Sequence, residues 1–263
     1  MTDKTTQFDR RNFLKATGLV GSLALTSTAG CLGGDEEAMT LVAGTAPGFP
    51  PFEMKEGETL KGFDIDLLEA VVEETEYELS EWSEFEFGSL SPALQNEKID
   101  VIAAAMTIRA DRDENIDFTD PYYDANQAIL VASESGFTPA TMSDLDGANV
   151  GAQKGTTGES TVETQLIEEN LVAEGDYSSY GNYVLAVEDL VNGNIDAVVL
   201  DTPVADSFVA DREVQVAFTY ETGEQYGFAI REGASELQST LNDGLATVKE
   251  NGTYDDIVAQ WFK

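Results

Sequence analysis

The sequence contains no histidine and only one cysteine, Cys31, among its 263 residues. Without histidine, Ser-His-Asp catalysis, Cys-His catalysis and histidine-ligated metal sites are excluded. A single cysteine also excludes a disulfide within the chain and a thiolate cluster. We therefore expect neither a metal nor a cofactor.

Basic residues are also scarce, because 14 lysines and arginines stand against 50 acidic residues and the formal net charge is −36. Nucleic acids and anionic membrane surfaces would repel such a chain, so neither is an expected partner. The acids alternate with apolar residues at helical spacing, as in residues 64–74, which favours solvated faces of folded helices over a disordered tract. An evenly acidic, lysine-poor surface is expected in molar salt, where the Debye length is about 3 Å and the surface acids repel one another little. We therefore expect a halophilic source rather than a specialised acidic partner surface.

The N-terminal apolar stretch, residues 16–29, is too short and too rich in glycine, serine and threonine to span a bilayer. It follows residues 9–15 (DRRNFLK), which resemble the twin-arginine export motif, and it leads into residues 28–31 (TAGC), which resemble a lipobox. We expect residues 1–30 to be a signal peptide, Cys31 to be lipidated and residues 31–38 to be a tether. The protein would then be anchored at the extracellular face of the cell membrane. The alternative is an ordinary cysteine near a cleavage site.

Residues 94–102 and 190–198 share the pattern L-x-N-x-x-I-D-x-aliphatic, which predicts two similar helix–strand units. The first apolar run, predicted as a buried strand over residues 99–106, leads into a loop that contains Arg112, and the second run ends at Asp201. Ligands bind outside the carboxyl ends of strands in open α/β sheets, so a cation and an anion there would suit a small zwitterion. Alternatively, any two αβ units look alike, and both charges lie on the surface.

Several segments resemble, in order, the family-3 extracellular solute-binding proteins, the polar-amino-acid receptors of ABC importers. These segments are FPPFE at 49–53, GFDIDL at 62–67, LSPAL at 90–94, the run at 99–112, DFTDPYY at 117–123, GAQKGTTGE at 151–159 and the terminal helices within 241–262. The resemblance implies an α/β, two-lobed periplasmic-binding-protein-like fold of type II, in which each lobe is a mixed sheet with helices on both faces. Residues 39–126 and 226–263 would form the first lobe and residues 127–225 the second, with the ligand cleft between them. The implied function is to bind an amino acid, as a monomer, and to deliver it to the permease of an ABC importer.

The same resemblance assigns ligand contacts. Arg112 would hold the α-carboxylate through a bidentate fork, and Asp201 would take the ammonium group. Thr107, Thr157 and the backbone at Ala105 would contact the α-groups. Two aromatic residues would sandwich the ligand and two polar residues could reach its side chain: Phe49, Phe87, Gln153 and Glu53. The alternatives are core packing for the phenylalanines, a helix N-cap for Asp201 and a solvated ion pair for Arg112.

Three other positions carry expectations. Arg109 is interpreted as a surface residue. Asp64 is predicted to be the N-cap of a helix whose core face is formed by three apolar residues, Ile65, Leu68 and Val72. Ala46 lies where many family members carry an acid, which argues against lysine, arginine or histidine as the ligand.

Some proteins of this fold are cyclohexadienyl dehydratases, so an enzyme is the second hypothesis. Because the chain has no histidine, its acid or base would have to be Asp201, Glu159 or Lys154. The lipobox-like motif favours a receptor that stays near its membrane partner. A ligand-binding sensor domain is a third hypothesis, less favoured because the sequence shows no transmembrane or signalling segment.

Overall fold

The computed structural model describes residues 39–262, in which twelve strands and eight α-helices follow one another. The strands are β1 (Met39–Thr45), β2 (Met54–Glu56), β3 (Thr59–Lys61), β4 (Tyr77–Glu84), β5 (Val101–Ile102), β6 (Ile116–Phe118), β7 (Tyr123–Ala132), β8 (Val150–Gln153), β9 (Tyr177–Tyr180), β10 (Ala197–Asp201), β11 (Val214–Tyr226) and β12 (Ala229–Arg231). The helices are α1 (Phe63–Glu73), α2 (Leu90–Gln95), α3 (Ala110–Asp113), α4 (Thr157–Val162), α5 (Tyr183–Val191), α6 (Thr202–Asp211), α7 (Ser235–Glu250) and α8 (Thr253–Trp261). The predicted signal peptide, Cys31 and the tether lie outside the described residues.

The strands form two five-stranded mixed sheets and one small hairpin of β2 and β3. The first sheet has the order β4-β1-β5-β12-β6, with β1 parallel to β4 and β5, and β12 antiparallel to β5 and β6. The second has the order β11-β7-β10-β8-β9, with β10 parallel to β8 and antiparallel to β7. Each sheet therefore contains βα units, and the carboxyl ends of their parallel strands lie at the same edge of the sheet.

Two strands carry the chain between the sheets. The antiparallel pair β7 and β11 belongs to the second sheet, and both predicted lobe boundaries, at 126/127 and 225/226, fall inside these strands. The end of β11 docks on the loop that follows β5, where Ile108 N donates to Gln225 O at 2.8 Å and Gly227 N to Met106 O at 3.2 Å. The loop after β5 is thereby joined directly to the crossing strands. The assignment of whole lobes stays a prediction.

Helix α1 packs on the first sheet through the predicted face, since Ile65, Leu68 and Val72 are all buried. Its start differs from the prediction, because Gly62 occupies the N-cap and Asp64 lies inside the first turn with a buried carboxyl. Gly62 has φ 148°, and a Cβ there would lie 1.9 Å from the carbonyl oxygen of Phe52. Only glycine fits this close approach, so the helix begins one residue before Asp64.

The strand predicted over residues 99–106 is shorter than expected, because only Val101 and Ile102 pair with neighbours as β5. The following residues are buried but belong to no strand, and Ala105 has φ 44°. The amide of Ala105 donates to Asp64 Oδ2 at 2.7 Å. Burial without strand pairing is the reason that the apolar run was misleading.

Among residues 39–262, no helix has the length and apolarity needed to cross a membrane. The same residues contain no group of three or more acidic or cysteine side chains arranged to hold a metal ion.

Candidate functional site

The candidate site lies where the loop after β5 meets the ends of β8 and β10. Arg112, in α3, donates from Nη1 to Thr107 O at 2.7 Å and from Nη2 to Gly155 O at 2.9 Å. Its guanidinium carbon lies 5.4 Å from the centroid of the Phe87 ring. Since Gly155 belongs to the turn after β8, one guanidinium joins the loop after β5 of the first sheet to the second sheet.

Asp201 ends β10 and lies directly opposite Gln127 of β7 in the antiparallel register. Paired residues of neighbouring strands place their side chains on the same face, and Gln127 Nε2 donates to Asp201 Oδ1. Tyr226 OH donates to the other carboxylate oxygen at 2.8 Å. Asp201 is at the N-cap position of α6, but its side chain makes no capping hydrogen bond. The capping alternative therefore does not account for this carboxylate.

The charges of Arg112 and Asp201 act on each other. Burial raises the pKa of Asp201 to about 8, with the charge of Glu224 acting in the same direction and that of Arg112 opposing it. Burial, and then the charge of Arg109, lowers the pKa of Arg112 to about 10 against the charges of Asp201 and Glu224. The cation and the anion predicted at the two strand ends are thus close enough for their charges to interact, although Asp201 is buried and Arg112 is half-buried.

Four carboxyl groups are buried among the described residues: Glu53, Asp64, Asp201 and Glu224. Burial raises the pKa of Glu53 well above its usual range, and the charges of Asp64 and Asp201 raise it further. Neither carboxyl oxygen of Glu53 has a hydrogen-bond partner within residues 39–262. Asp64 accepts from Ala105 N and from Tyr122 OH at 2.6 Å through Oδ2, and burial raises its pKa to about 7. The Glu53 carboxyl therefore interacts electrostatically with those of Asp64 and Asp201, and three oxygens of Glu53 and Asp64 have no donor within residues 39–262.

Two threonine hydroxyls join the loop after β5 to the start of α4. Thr157 Oγ1, at the start of α4, donates to Thr107 Oγ1 at 3.0 Å, and Thr107 in turn donates to Glu224 Oε2 at 2.9 Å. Glu224 and Gln127 were missed by the sequence analysis. Each is a polar side chain in one of the two crossing strands, β7 and β11, and nothing in the sequence distinguishes it from the other polar residues nearby.

Both candidate phenylalanines are buried and packed. The Phe49 ring lies 5.7 Å from that of Tyr183 in α5 and 5.9 Å from that of Phe52, and Phe87 lies under the Arg112 guanidinium. Core packing therefore describes Phe49 at least in part. Gln153 ends β8 with its side chain buried, and its Oε1 is without a partner in the described part of the chain.

The turn after β8 is braced by Glu159. Its carboxylate accepts from Gly155 N at 2.7 Å, Tyr177 OH at 2.8 Å and Ser179 Oγ at 3.0 Å. Thr156 caps α4 by accepting from the amide of the same glutamate at 3.3 Å. The turn that carries Thr157 is thus held by side chains of the second sheet.

Arg109 is not the surface residue that the sequence suggested. Its side chain is 22% exposed and forms a bidentate pair with Asp111. It also reaches across the site, because Nη1 donates to Ser160 Oγ at 3.0 Å and to Thr156 O at 3.4 Å. The interpretation was wrong because the long side chain of a loop residue can span two packed elements.

This arrangement of two sheets with a charged site between their strand ends has counterparts among known proteins. The family model described as bacterial extracellular solute-binding proteins, family 3, matches residues 41–263. The chain belongs to this family.

Relatives of this solute-binding protein match over most of their length. A probable histidine-binding protein from Campylobacter jejuni is 34% identical over 226 residues, which cover 85% of each chain. Among solved structures, an ancestral arginine-binding protein bound to arginine is 37% identical, with a TM-score of 0.79, over 85% of this chain and 98% of that one. An ancestral amino acid-binding protein described as a precursor of cyclohexadienyl dehydratase is 34% identical, with a TM-score of 0.77, over 85% and 96%. The predicted two-lobed type II fold is confirmed, and these relatives are named for binding rather than catalysis.

Most of the predicted ligand contacts of this family-3 protein come together. Arg112, Thr107 and Thr157 are joined by the hydrogen bonds described above, and the backbone of Ala105 is held by Asp64. Asp201 joins them through the network of Gln127 and Glu224. Their roles toward a ligand stay predictions, as do those of Phe49, Phe87 and Gln153.

Proposed function

We propose that this solute-binding protein is an extracellular receptor that closes on an amino acid and delivers it to the permease of an ABC importer. The observation that carries the proposal is that one hydrogen-bonded network contains both Arg112 and Asp201. It runs from Arg112 through Thr107, Glu224 and Gln127 to Asp201. A guanidinium fork suits an α-carboxylate, and a buried carboxylate suits an α-ammonium group. The names of the relatives, which refer to histidine and arginine, support the same class of ligand.

Binding requires Arg112 in this proposal. Isothermal titration calorimetry in molar KCl against the twenty amino acids should find at least one binder, and Arg112→Ala should weaken its affinity about a hundredfold, because a buried carboxylate would lose its charged partner. Arg212→Ala, at an exposed arginine, is the matched control and should bind as the parent does. Silence of the parent protein toward all twenty amino acids would refute the receptor.

We further propose that the ligand carries a cationic side chain. The buried atoms without partners in the described residues include both oxygens of Glu53 and one oxygen each of Asp64, Gln127 and Gln153, all of which are acceptors. A guanidinium or ammonium group supplies donors and positive charge for such a site. The expectation from Ala46 pointed the other way, because the sequence could not show that Glu53 places a second acid in the interior.

An enzyme is less well supported. The carboxylate of Glu159 is occupied by three donors that hold its loop, and Lys154 is exposed. Asp201 is the one candidate acid of the three in the buried site, and it has the position suited to an ammonium group. The likeness to a dehydratase precursor concerns a protein that is itself described as amino acid-binding.

The lipid anchor, export by the twin-arginine route and a monomeric state complete the proposal. The first two rest on sequence motifs alone, and the monomeric state rests on the family resemblance. In cells that export the full chain, Cys31→Ser should move the protein from the membrane fraction to the medium, because a thioether-linked lipid can no longer form. Ser27→Ala, four residues away in the same segment, is the control and should leave the protein in the membrane fraction. Equal membrane retention of the Cys31 variant and the parent would contradict the anchor.

A further inference from the structure

Glu224 lies in β11, where that strand crosses toward the first sheet. The pairing of β11 with β7 is interrupted between Tyr220 and Glu224, and the amides of Thr222 and Gly223 in the interruption both donate to Asn126 Oδ1 at 2.9 Å. Gly223 has φ 65°, a conformation in which glycine is favoured. The interruption turns Glu224 inward, where its side chain is buried.

One oxygen of the Glu224 carboxylate contacts the loop after β5. Glu224 Oε2 accepts from Thr107 Oγ1 at 2.9 Å, and Thr107 Oγ1 accepts from Thr157 Oγ1 at 3.0 Å. The hydrogen bonds run in one direction and end on a group that can only accept. Arg112 Nη1 donates to the carbonyl of the same threonine at 2.7 Å. Glu224 therefore sets the orientation of the Thr107 hydroxyl, and Arg112 donates to the carbonyl of the same residue.

The other oxygen of the Glu224 carboxylate contacts side chains of the crossing strands β7 and β11. Glu224 Oε1 accepts from Gln127 Nε2 at 2.8 Å and from Thr222 Oγ1 at 2.7 Å. The same amide group of Gln127 also donates to Asp201 Oδ1. A single NH₂ group bridging two carboxylates has both of its protons committed, so the orientation of Gln127 and the position of Asp201 depend on Glu224.

We propose that Glu224 is a positioning residue that aligns Thr107 and Asp201, the two halves of the α-group pocket, from outside that pocket. The inference rests on the proposed function, since it concerns how the same site holds an amino acid. A glutamine at 224 would replace one acceptor by a donor, which would face either the Thr107 hydroxyl proton or the Gln127 amide. Hydrogen bonds to a carboxylate are also stronger than those to a neutral amide. The loss would affect every amino acid ligand alike, because the α-groups are common to all of them.

The test compares Glu224→Gln with Glu221→Gln, an exposed glutamate of the same strand that undergoes the same change of charge. The probes are L-arginine, L-histidine and L-glutamine, titrated by calorimetry in molar KCl. We expect Glu224→Gln to weaken each measurable affinity about tenfold or more, to keep the ratios between ligands within about twofold, and Glu221→Gln to match the parent. Affinities within about twofold of the parent, or a loss confined to one ligand, would overturn the inference.

A double-mutant cycle separates positioning from general damage. If Glu224 acts through Thr107, the losses caused by Thr107→Val and Glu224→Gln should overlap, so that the double variant binds at least about threefold more tightly than the product of the single losses predicts. Independent, multiplicative losses would overturn the inference.

Should Glu224→Gln lack a cooperative melt, Thr222→Val removes one donor to the carboxylate from an exposed position and decides the matter. A loss of about threefold or more then supports the inference, and affinity within about twofold of the parent overturns it. If the parent binds none of the probes or the other amino acids, the proposed function fails and this inference falls with it, whereas a binding parent with unaffected variants refutes this inference alone.

Discussion

Glu53 is fully buried, carries two oxygens without partners among the described residues and feels the negative charges of Asp64 and Asp201. Each of these conditions disfavours the ionised form, and together they hold the pKa of its carboxyl well above the usual range. A ligand cation would reverse this balance, since it would supply both donors and opposite charge. The side chain is therefore suited to distinguish cationic from neutral ligands.

We expect Glu53→Gln to weaken arginine binding about tenfold or more and glutamine binding by less than about threefold, because only the cation loses an ionic partner. A cation that binds the carboxylate expels its proton, and proton release is favoured as pH rises. The parent's affinity for arginine should accordingly increase from pH 5 to pH 8, and the variant's should increase less steeply. Calorimetry at both pH values measures this, with Glu58→Gln, at an exposed glutamate, as the control. Equal losses for both ligands would show that Glu53 is structural.

The sequence identified Arg112 and Asp201 because each follows an apolar strand in a repeated pattern. It named Glu53 only as one of two polar residues that could reach the ligand's side chain, and it did not identify Glu224. Each is one acid among 50, and only tertiary packing distinguishes a buried carboxylate from a solvated one. Arg109 failed for the related reason that its partners, Thr156 and Ser160, are about 50 positions away in the chain. Local pattern thus predicts which apolar runs are buried, and tertiary packing decides which of the polar residues that follow them belong to the site.

The strands and loops show how far apolar patterning reaches. The run over residues 99–106 is buried as predicted, but only β5, at Val101–Ile102, is paired. Beyond it, the chain turns at Ala105 so that its amide reaches Asp64, a residue 41 positions earlier. An apolar run records burial, and pairing depends on partners that the run does not contain. The fold class could be predicted from the family resemblance, while the loop geometry that forms the site could not.

The crossing strands β7 and β11 contribute side chains to the site in addition to the loops that the family resemblance emphasises. Gln127 comes from one of them and Glu224 and Tyr226 from the other, and all three contact Asp201 or its neighbours. Arg109 and Arg112 tie the loop after β5 to the turn before α4 from the opposite side. The site is consequently enclosed by a hydrogen-bonded network whose members belong to both sheets and to the strands between them.

The charge of the whole chain is unbalanced to a degree that short contacts cannot offset. The described residues form four ion pairs, whereas the sequence has 50 acidic residues and a net charge of −36. Unpaired surface acids repel one another over a Debye length, which is about 10 Å at 0.1 M salt and about 3 Å at 1 M. The buried contacts of the site are screened far less, so salt should stabilise the fold without weakening them.

We expect the melting temperature of the ligand-free protein to rise by about 10 °C between 0.1 M and 2 M KCl, equivalent to roughly 3 kcal/mol for a chain of this length. Differential scanning calorimetry measures it. General salting-out would stabilise any protein, so the control is a triple variant, Glu73→Gln, Glu76→Gln and Glu78→Gln, at three exposed neighbouring acids. If screening of repulsion is the cause, this variant gains stability at low salt, equals the parent at high salt and has a shallower dependence between them. An equally steep dependence in parent and variant would assign the effect to salting-out, and the acidic surface would then be no evidence for a halophilic source.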